Sequence, residues 1–329
     1  MFDGQTTSEE VIAAFKPEIK GKTYVLIGAG YPSIGSQMAT YLAQGSPAHI
    51  VIASRTASKV EPVVAKIREI DSGIKTIFVQ VDVTDHSSVR RAAGEILEAT
   101  KEKGIDVLVH TAGAMAIKNY TLDKQGIEYQ LSTNHVGGFL LVNLLVPGLL
   151  TAVAAASSSG KGGARFVILT SSGYRLTPFR FDDYNFSNGE KYEPWTAYGQ
   201  GKTANILFAH GLGKRLREKG VVAAAVHPGY NGNTKLGEHL TWDDYAVIGD
   251  IMKRNRGIDW EVSYDLPCQI FRFFLSYLEL FACYGLAGGL DGCLVISTAT
   301  RGTTEDLTTY LISLSLLYPT SPHSTARRR

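Results

Sequence analysis

The chain alternates between short apolar runs and longer stretches with a helical pattern of apolar positions. The apolar runs predict strands over residues 24–27, 50–53, 76–81, 107–109, 166–169 and 221–226. The helical patterns lie between them, over residues 34–42, 59–70, 89–102, 126–153 and 196–216. Before the first strand, Thr7 and Glu10 have the spacing of a capping box, which predicts a short leading helix.

Short apolar strands that alternate with helices indicate parallel βαβ units with helices on both faces. The fold class is therefore α/β, a Rossmann-type doubly wound parallel sheet flanked by helices. No long proline- or serine-rich linker marks a boundary within it. We expect a leading helix in residues 1–19, one domain over residues 20–264 and an apolar C-terminal segment over residues 265–329.

Two stretches are apolar enough to raise the question of a membrane. Residues 138–153 lack a polar face, which predicts burial against the sheet or a partner subunit; Pro147 and Gly148 interrupt the run and disfavour a membrane span. Residues 270–290 carry Arg272 and Glu279, which would be costly inside a bilayer. A core or pocket-covering helix is the first interpretation there, with membrane association as the alternative. Residues 292–297 predict a seventh strand.

Charge and cysteine content exclude several function classes. The chain has 329 residues, a formal charge of +2 and no basic run interleaved with aromatic residues, so nucleic acid is not an expected partner. Three scattered cysteines fit neither a disulfide framework nor a zinc site, and no metal is expected. The polar N-terminus lacks the blocks of a signal peptide, which favours a cytoplasmic protein.

A glycine-rich loop joins the first predicted strand to the first helix of the sheet. Gly28, Gly30, Ser33, Ile34 and Gly35 would let the backbone approach a phosphate at the helix N-terminus. The third glycine comes two residues later than in the ordinary dinucleotide fingerprint. A glycine-rich turn without a ligand is the alternative.

The residues after the second strand bear on the choice of cofactor. A site for NAD usually has an acidic residue there for the ribose hydroxyls, whereas arginine accommodates the 2′-phosphate of NADP. This chain has Ser54 and Arg55, with Lys59 nearby. NADP(H) is therefore expected in preference to NAD(H); the alternative makes Arg55 a solvated surface charge.

Asp82 and Val83 close the third predicted strand. The Asp82 carboxylate could accept a hydrogen bond from an adenine amino group, and both residues are candidates for the cofactor site. Alternatively, Asp82 helps to cap the next helix through Thr84 and Asp85.

Tyr198 and Lys202 are four residues apart in a predicted helix, and therefore one turn apart on one face. An ammonium group near a phenol stabilises the phenolate, so the tyrosine could exchange a proton nearer to neutral pH. Tyr120 and Lys124 have the same spacing, and spacing alone does not choose between the pairs.

The order of these motifs resembles the short-chain dehydrogenase/reductase family. The resemblance rests on the glycine loop 28–35, on Thr-Ala-Gly at 111–113, on the serine pair 171–172, on Tyr-x-x-x-Lys at 198–202 and on His-Pro-Gly at 227–229. The sequences around the serine pair and Tyr198 are similar to a retinol-dehydrogenase-like branch common in fungi. The resemblance covers roughly residues 20–240, and it disfavours the pair at Tyr120, which precedes the fifth strand.

The resemblance implies roles for individual residues. Tyr198 would be the general acid/base, Lys202 would lower its pKa and hold the nicotinamide ribose, Ser172 would orient the substrate oxygen and Asn134 would support a water-linked proton relay. The plain alternatives are strand-end serines and a helix amide paired with backbone. Further residues implied in cofactor binding are Ala112, Gly113, Pro228, Gly229 and Thr234.

The chain departs from the family pattern in several places. Ser33 replaces a glycine, and its Cβ would crowd the phosphate. His110 and Thr111 replace two asparagines, which puts the support of the central strand in question. The turn after His227 is one residue longer than usual, so that Asn233 or Thr234 could meet the carboxamide. Beyond about residue 265 the resemblance fades, leaving a divergent segment where the family completes its substrate pocket.

The resemblance implies an NADP-dependent oxidoreductase that interconverts a carbonyl and a primary or secondary alcohol on a lipophilic small molecule, as in fungal secondary metabolism. A sugar-nucleotide epimerase of the extended family is an alternative that Ser54 and Arg55 disfavour, because an acid is usual there. A catalytically impaired nucleotide-binding regulator or scaffold is another. A homodimer and membrane association are further alternatives.

Overall fold

Seven parallel strands form the central sheet of the computed structural model, which describes residues 6–157, 163–229, 234–256 and 294–296. The strands are β1 Thr23–Ile27, β2 His49–Ser54, β3 Lys75–Gln80, β4 Val107–His110, β5 Ala164–Leu169, β6 Val221–Val226 and β7 Leu294–Ile296. Their order is β3-β2-β1-β4-β5-β6-β7, and every neighbouring pair is parallel. The chain reverses direction across the sheet between β1 and β4, which confirms the doubly wound fold.

Nine α-helices accompany the sheet within the described ranges. They are α1 Ser8–Ile19, α2 Ile34–Ala43, α3 Ala57–Ile70, α4 His86–Ala99, α5 Tyr129–Leu131, α6 Gly137–Ser157, α7 Pro194–Leu216, α8 Trp242–Ala246 and α9 Ile248–Arg256. The capping box before α1 is confirmed, with Glu10 N donating to Thr7 Oγ1 at 3.2 Å and Thr7 N donating to Glu10 Oε2 at 2.6 Å. The seventh strand is confirmed as β7, whereas the boundary at residue 265 and the stretch 270–290 lie outside the described residues.

The two faces of the sheet are covered by different helices. On β1, Val25 and Ile27 pack with α4, α6 and α7, while Tyr24 and Leu26 pack with α1, α2 and α3. Because side chains alternate along a strand, a strand with helices on both faces must be apolar throughout. This explains why continuous apolar runs marked the strands.

The long helical stretch differs from its prediction. It begins at Tyr129 instead of residue 126, because the carboxylates of Asp123 and Glu128 hold a turn before it: Asp123 Oδ1 accepts from Ile127 N at 2.9 Å, and Glu128 Oε2 accepts from Leu131 N at 2.7 Å. One π-helical turn, Ser132–Val136, then separates α5 from α6. Such turns are frequent at functional sites.

The α6 helix is a core helix on one side only. Leu141, Val142, Leu145 and Leu149 are fully buried against the sheet and α4. The outward side, which includes Phe139, is exposed in the single chain, so burial against the sheet is found for one side and burial of the other side against a partner subunit stays a prediction. Among the described residues the segment 129–156 is long and apolar enough to cross a membrane, but its buried side packs in the core.

Two helical glycines provide a matched test of this packing. A Cβ on Gly138 in α6 would lie 1.9 Å from His110 Nε2, whereas a Cβ on Gly94 in α4 would meet no atom within 4 Å. We expect Gly94→Ala to stabilise the fold by about 0.5–1 kcal/mol through helix propensity. We expect Gly138→Ala to destabilise it by roughly 1–3 kcal/mol, because overpacking outweighs the same propensity gain. Urea unfolding of the two variants measures both, and stabilisation by Gly138→Ala would contradict the close packing.

Candidate active site

The carboxyl ends of β1, β4, β5 and β6 bring four sequence motifs to one edge of the sheet. Residues 28–35 follow β1, residues 111–114 follow β4, residues 170–173 follow β5 and residues 227–229 follow β6. In a doubly wound sheet, ligands bind at this edge where the strand order reverses. The reversal lies between β1 and β4, beside the glycine loop.

The glycine loop packs against the segment after β4 too closely for side chains. Gly28 has φ +91°, and a Cβ there would lie 2.4 Å from Ala112 N. A Cβ on Gly35, in the first turn of α2, would lie 2.6 Å from Thr111 Oγ1. Both positions therefore require glycine. Ile34 is the first residue of that helix, and Gly30 lies opposite Ser54 and Lys59.

Ser33 is the N-cap of α2. Its Oγ accepts from Ser36 N at 3.0 Å and lies 3.3 Å from Gly28 O, to which the hydroxyl donates. The side chain is thus held within the loop and at the helix end. Whether its Cβ crowds a phosphate stays a prediction.

Thr111 links the central strands β4 and β1. The replacement of two asparagines by His110 and Thr111 had put this link in question. The Thr111 hydroxyl donates to Ile27 O at 2.9 Å and lies 3.2 Å from Gly28 O, joining β4 to β1. The adjacent His110 is 1% exposed, and burial lowers its pKa to about 3, so its ring is neutral at pH 7.

Arg55 and Lys59 lie exposed beside the glycine loop. Lys59 O accepts from Tyr31 N at 2.8 Å, which ties the start of α3 to the loop, and Arg55 Nη1 lies 3.3 Å from Tyr129 Oη. Among the residues that the structure describes, neither cation forms a salt bridge with a carboxylate. Both charges are therefore available to an anion at this end of the loop.

Asp82 and Val83 lie between β3 and α4. Asp82 Oδ1 accepts from Thr84 N at 2.9 Å and from Thr84 Oγ1 at 2.7 Å, while Asp85 is the N-cap of α4. Val83 is buried, and its carbonyl oxygen would lie 1.8 Å from a Cβ on Gly137. The turn expected from the capping alternative is present, and an adenine contact stays a prediction.

Tyr198 and Lys202 occupy the first turns of α7 and are both buried. Lys202 Nζ lies 5.5 Å from the centroid of the Tyr198 ring and donates to Leu169 O at 3.3 Å. Burial lowers the pKa of Lys202 to about 8. A Cβ on Gly113 would lie 3.5 Å from this ammonium and 2.8 Å from Asn134 Oδ1, so the loop after β4 comes close to both groups.

The predicted lowering of the Tyr198 pKa by Lys202 is not found. Burial raises the pKa of Tyr198 to about 12; the Ser171 hydroxyl lowers it and Tyr245 raises it further. Desolvation prevails because the phenolate would lose its water while the Lys202 ammonium is directed to a backbone carbonyl. The phenol is therefore protonated at neutral pH, which is the form that donates a proton.

Of the two serines, Ser171 interacts with the phenol of Tyr198, and the role of Ser172 at the substrate oxygen stays a prediction. Ser171 is the N-cap of the 3₁₀ helix Ser172–Leu176, and its Oγ accepts from Gly173 N at 3.1 Å as well as interacting with the phenol. A Cβ on Gly173 would lie 2.7 Å from Tyr198 Cε1, so the tyrosine ring packs directly on this turn. Adjacent serines in a sequence give no signal of which one faces the helix.

Asn134 lies in the π-helical turn, and its side-chain amide forms two hydrogen bonds with the backbone of Ala114. Its Nδ2 donates to Ala114 O at 2.9 Å, and its Oδ1 accepts from Ala114 N at 2.8 Å. The pairing with backbone that was the plain alternative is therefore present. It fixes the loop after β4 against the π-helical turn, and a part in a proton relay stays a prediction.

A buried polar network behind Lys202 was missed from the sequence. Leu169 O accepts from both Lys202 Nζ and Asn205 Nδ2, the latter at 3.1 Å. Asn205 Oδ1 lies 3.1 Å from His135 Nδ1. These residues come from three separate elements, so no motif of fixed spacing reveals them.

The helices α8 and α9 pack around the start of α7 and cover Tyr198. Trp195 Nε1 donates to Asp244 O at 2.6 Å, which attaches α8 to the start of α7, and Tyr198 is only 4% exposed. Tyr198 belongs to an apolar cluster whose other main members are Ala116, Leu176, Trp195, Ile248, Ile251 and Met252. The amphipathic pattern of α9 is the signal that could have found part of it.

The motif after β6 is described only in part. Gly229 has φ +77° and follows Pro228, and burial lowers the pKa of the adjacent His227 to about 4. Thr234 is the N-cap of the 3₁₀ helix Lys235–Gly237, with Leu236 N donating to its Oγ1 at 3.4 Å. Asn233, the rival of Thr234 at the carboxamide, lies outside the described residues.

The competing pair Tyr120 and Lys124 is not on a helix. Lys124 forms an ion pair with Asp85, and Tyr120 packs edge-on against Tyr192 with ring centroids 5.4 Å apart. Without a helical turn the spacing does not bring phenol and ammonium together. The structure is therefore consistent with the exclusion of Tyr120 and Lys124 as the catalytic pair, which was based on their place before the fifth strand.

Comparisons with known proteins identify the family and the fold. Residues 22–179 match the family model described as short chain dehydrogenase. The chain is 31% identical to the oxidoreductase fscI of Fusarium equiseti over 72% of this chain and 97% of that protein. It is 35% identical to human retinol dehydrogenase 13 over 68% of this chain and 63% of that protein. The RhlG/NADP active-site complex of Pseudomonas aeruginosa superposes with a TM-score of 0.54 and 18% identity, over 84% of this chain and 95% of that one.

Proposed function

Because the chain belongs to the short-chain dehydrogenase family, we propose that it is an NADP(H)-dependent oxidoreductase acting on a lipophilic carbonyl compound or the corresponding alcohol. The single observation that carries the chemistry is the buried, protonated Tyr198 beside Ser171 and Lys202. Oxidoreductase activity and a nicotinamide cofactor follow from the family. The preference for NADP(H), the substrate class and the residue roles are the proposal.

The residues at the sheet edge fit a nicotinamide dinucleotide. Gly28 and Gly35 let the loop pack closely on Ala112 and Thr111, which places its backbone at the N-terminus of α2, where a pyrophosphate is favoured. Arg55 and Lys59 support the 2′-phosphate, since both are exposed, lack a carboxylate partner in the described ranges and follow β2 where an acid would select NAD. The RhlG neighbour was solved as a complex with NADP.

The protein's own part in the reaction is orientation and proton transfer. The bound cofactor would supply or accept the hydride. In the direction of reduction, the Tyr198 hydroxyl donates its proton to the substrate oxygen, and the resulting phenolate takes up a proton from solvent before the next turnover. A pKa of about 12 keeps Tyr198 protonated at neutral pH, which is the form required for reduction.

Ser171 takes the role that the sequence assigned to Ser172. A hydroxyl that already interacts with the Tyr198 phenol can donate a hydrogen bond to the same substrate oxygen. Ser172 begins the 3₁₀ helix one residue further on. Asn134 holds the loop after β4 in place through Ala114.

The two serines provide a matched pair for testing this assignment. We expect Ser171→Ala to lower kcat/KM for carbonyl reduction by about 10²-fold, the scale of one lost hydrogen bond to a developing oxyanion. Ser172→Ala is expected to stay within a few-fold of the wild type. Steady-state NADPH oxidation measures both variants, and the opposite ranking would restore Ser172 to the role.

An apolar substrate is supported by the surroundings of Tyr198. The cluster of Ala116, Trp195, Ile251 and Met252 lies beside the phenol, with the partly buried side chain of Met115 packed against it. A charged or sugar-like substrate would leave its polar groups unpaired against these side chains. This observation disfavours the sugar-nucleotide epimerase alternative.

A further inference from the structure

Arg55 is held from two sides by residues of other elements. Its backbone carbonyl oxygen accepts from Nε2 of Gln80, the last residue of β3, at 3.1 Å. Its guanidinium donates from Nη1 to the hydroxyl oxygen of Tyr129, the first residue of α5, at 3.3 Å. Arginine has no acceptor atom, so the phenol must be the acceptor in this bond. Neither Gln80 nor Tyr129 is among the residues that the sequence assigned to a cofactor site.

The position of Arg55 beside the glycine loop gives this contact a bearing on the cofactor. A Cβ on Gly30 would lie 3.1 Å from Oγ of Ser54, the last residue of β2, and 3.3 Å from Lys59 Cβ. Tyr31 N also donates to Lys59 O at 2.8 Å, so the loop is attached to the segment that carries Arg55. In a doubly wound fold, this segment faces the ribose of the adenosine half of a dinucleotide.

The Tyr129 phenol is an acceptor with a fixed origin. Tyr129 N donates to Thr121 O at 2.9 Å. The preceding Glu128 is fully buried, and its carboxylate accepts from Leu131 N at 2.7 Å. These bonds involve no ligand, so the backbone at the start of α5 is fixed before a cofactor binds. Tyr129 is half-buried, whereas the Arg55 side chain that it contacts is exposed.

A hydroxyl group is suited to hold a cation that must later bind a phosphate. Unlike a carboxylate, it orients the guanidinium without neutralising its charge, and it occupies only one of five N–H donors. Among the described residues, no carboxylate pairs with Arg55 and competes with a phosphate. An exposed arginine otherwise loses rotamer freedom when it binds a ligand, which lowers affinity.

We propose that Tyr129 is a positioning residue for Arg55 and, through it, a second determinant of the selection of NADP(H) over NAD(H). The inference rests on the NADP(H) preference proposed above. It adds a residue from α5, on the far side of β4 in the chain, to a selection that the sequence placed after β2 alone.

NADP⁺ and NAD⁺ differ only in the 2′-phosphate and therefore isolate this selection. In isothermal titration calorimetry of the full chain at pH 7.5 and fixed ionic strength, Tyr129→Phe should weaken NADP⁺ binding by about 3–10-fold, the scale of one side chain that has to be immobilised on binding. NAD⁺ binding should stay within about twofold, which also shows that the variant is folded. Tyr184→Phe, which removes an exposed phenol, should change neither affinity.

A double-mutant cycle tests whether Tyr129 acts through Arg55. In the Arg55→Ala background, Tyr129→Phe should leave the dissociation constant for NADP⁺ within about twofold, because the hydrogen bond that it removes is already lost. An undiminished effect of Tyr129→Phe in that background would overturn the positioning role.

The remaining outcomes separate this inference from the proposed function. If Arg55→Ala abolishes the preference for NADP⁺ and Tyr129→Phe leaves it unchanged, the inference alone is overturned. Equal weakening of both nucleotides by Tyr129→Phe would assign Tyr129 to the part that they share, and would also overturn the inference alone. If the wild type binds NADP⁺ and NAD⁺ equally, the proposed cofactor preference is wrong and the inference is overturned with it.

Discussion

Tyr198→Phe is expected to lower kcat/KM for carbonyl reduction by at least about 10³-fold, while the dissociation constant for NADPH stays within a few-fold. Loss of a general acid typically costs 10²–10⁴-fold in rate. Phenylalanine keeps the ring that packs on Gly173 and edge-on against Trp195, at a centroid distance of 6.0 Å. The substitution also removes a buried hydroxyl. Burial raises the pKa of this hydroxyl and so already disfavours its deprotonation. Steady-state NADPH oxidation and a fluorescence titration with NADPH measure the two quantities.

The matched control is Tyr184→Phe, which removes an exposed phenol outside the site. This variant should retain wild-type kcat/KM and NADPH affinity. If Tyr198→Phe loses NADPH binding together with activity, the role of Tyr198 is structural and the proton-donor assignment is wrong.

Arg55→Asp is expected to weaken NADPH binding by about 10–100-fold and to leave NADH binding within about threefold. The variant loses charge-assisted hydrogen bonds to the 2′-phosphate, each worth about 1.5–3 kcal/mol, and introduces an acid where NAD-selective sites have one. Arg55 is exposed and forms no salt bridge within the described ranges, so its replacement should not disturb the fold. Dissociation constants for both cofactors at fixed ionic strength give the ratio.

Arg68→Asp is the control for the change of charge. Arg68 is an exposed residue in the last turn of α3, the helix that begins beside Arg55. Arg68→Asp should leave the ratio of the dissociation constants for NADPH and NADH unchanged. An equal effect of Arg55→Asp on both cofactors would exclude a specific phosphate contact and make Arg55 a general surface charge.

The central part of the sheet was predictable because β1, β2, β4, β5 and β6 are largely buried. Continuous apolar runs such as 221–226 have no other stable place in a chain of this length, and β6 has those bounds. The start of the long helix was not predictable from apolar periodicity. The side chains of Asp123 and Glu128 accept hydrogen bonds from backbone N–H groups and so hold a turn before the helix begins. A hydrophobic pattern does not show such bonds.

The candidate site was predictable to the level of motifs but not of atoms. The helical spacing placed Tyr198 and Lys202 on one face, as the structure has them. Spacing contains no information about burial, and burial decides the direction of both pKa shifts. The proposal of Ser171 in place of Ser172 has a similar origin, because it rests on the interaction of Ser171, the N-cap of the 3₁₀ turn after β5, with the Tyr198 phenol.

Residues outside the family motifs could not be found in this way. His135 and Asn205 meet behind Lys202 only through the packing of α7 against the π-helical turn. The covering of Tyr198 by α8 likewise depends on one hydrogen bond from Trp195 to a backbone carbonyl. Such contacts follow from the tertiary fold and have no fixed sequence separation.

The most direct test of the central claim follows the transferred hydrogen. The full chain is incubated with NADPH deuterated at the transferable position and a panel of lipophilic aldehydes and ketones, and the alcohols formed are examined by mass spectrometry. We expect deuterium on the carbinol carbon with the wild type and with Tyr184→Phe, and background levels with Tyr198→Phe. Bound NADPH without a deuterated alcohol from any carbonyl, or undiminished labelling by Tyr198→Phe, would contradict a Tyr198-dependent reductase.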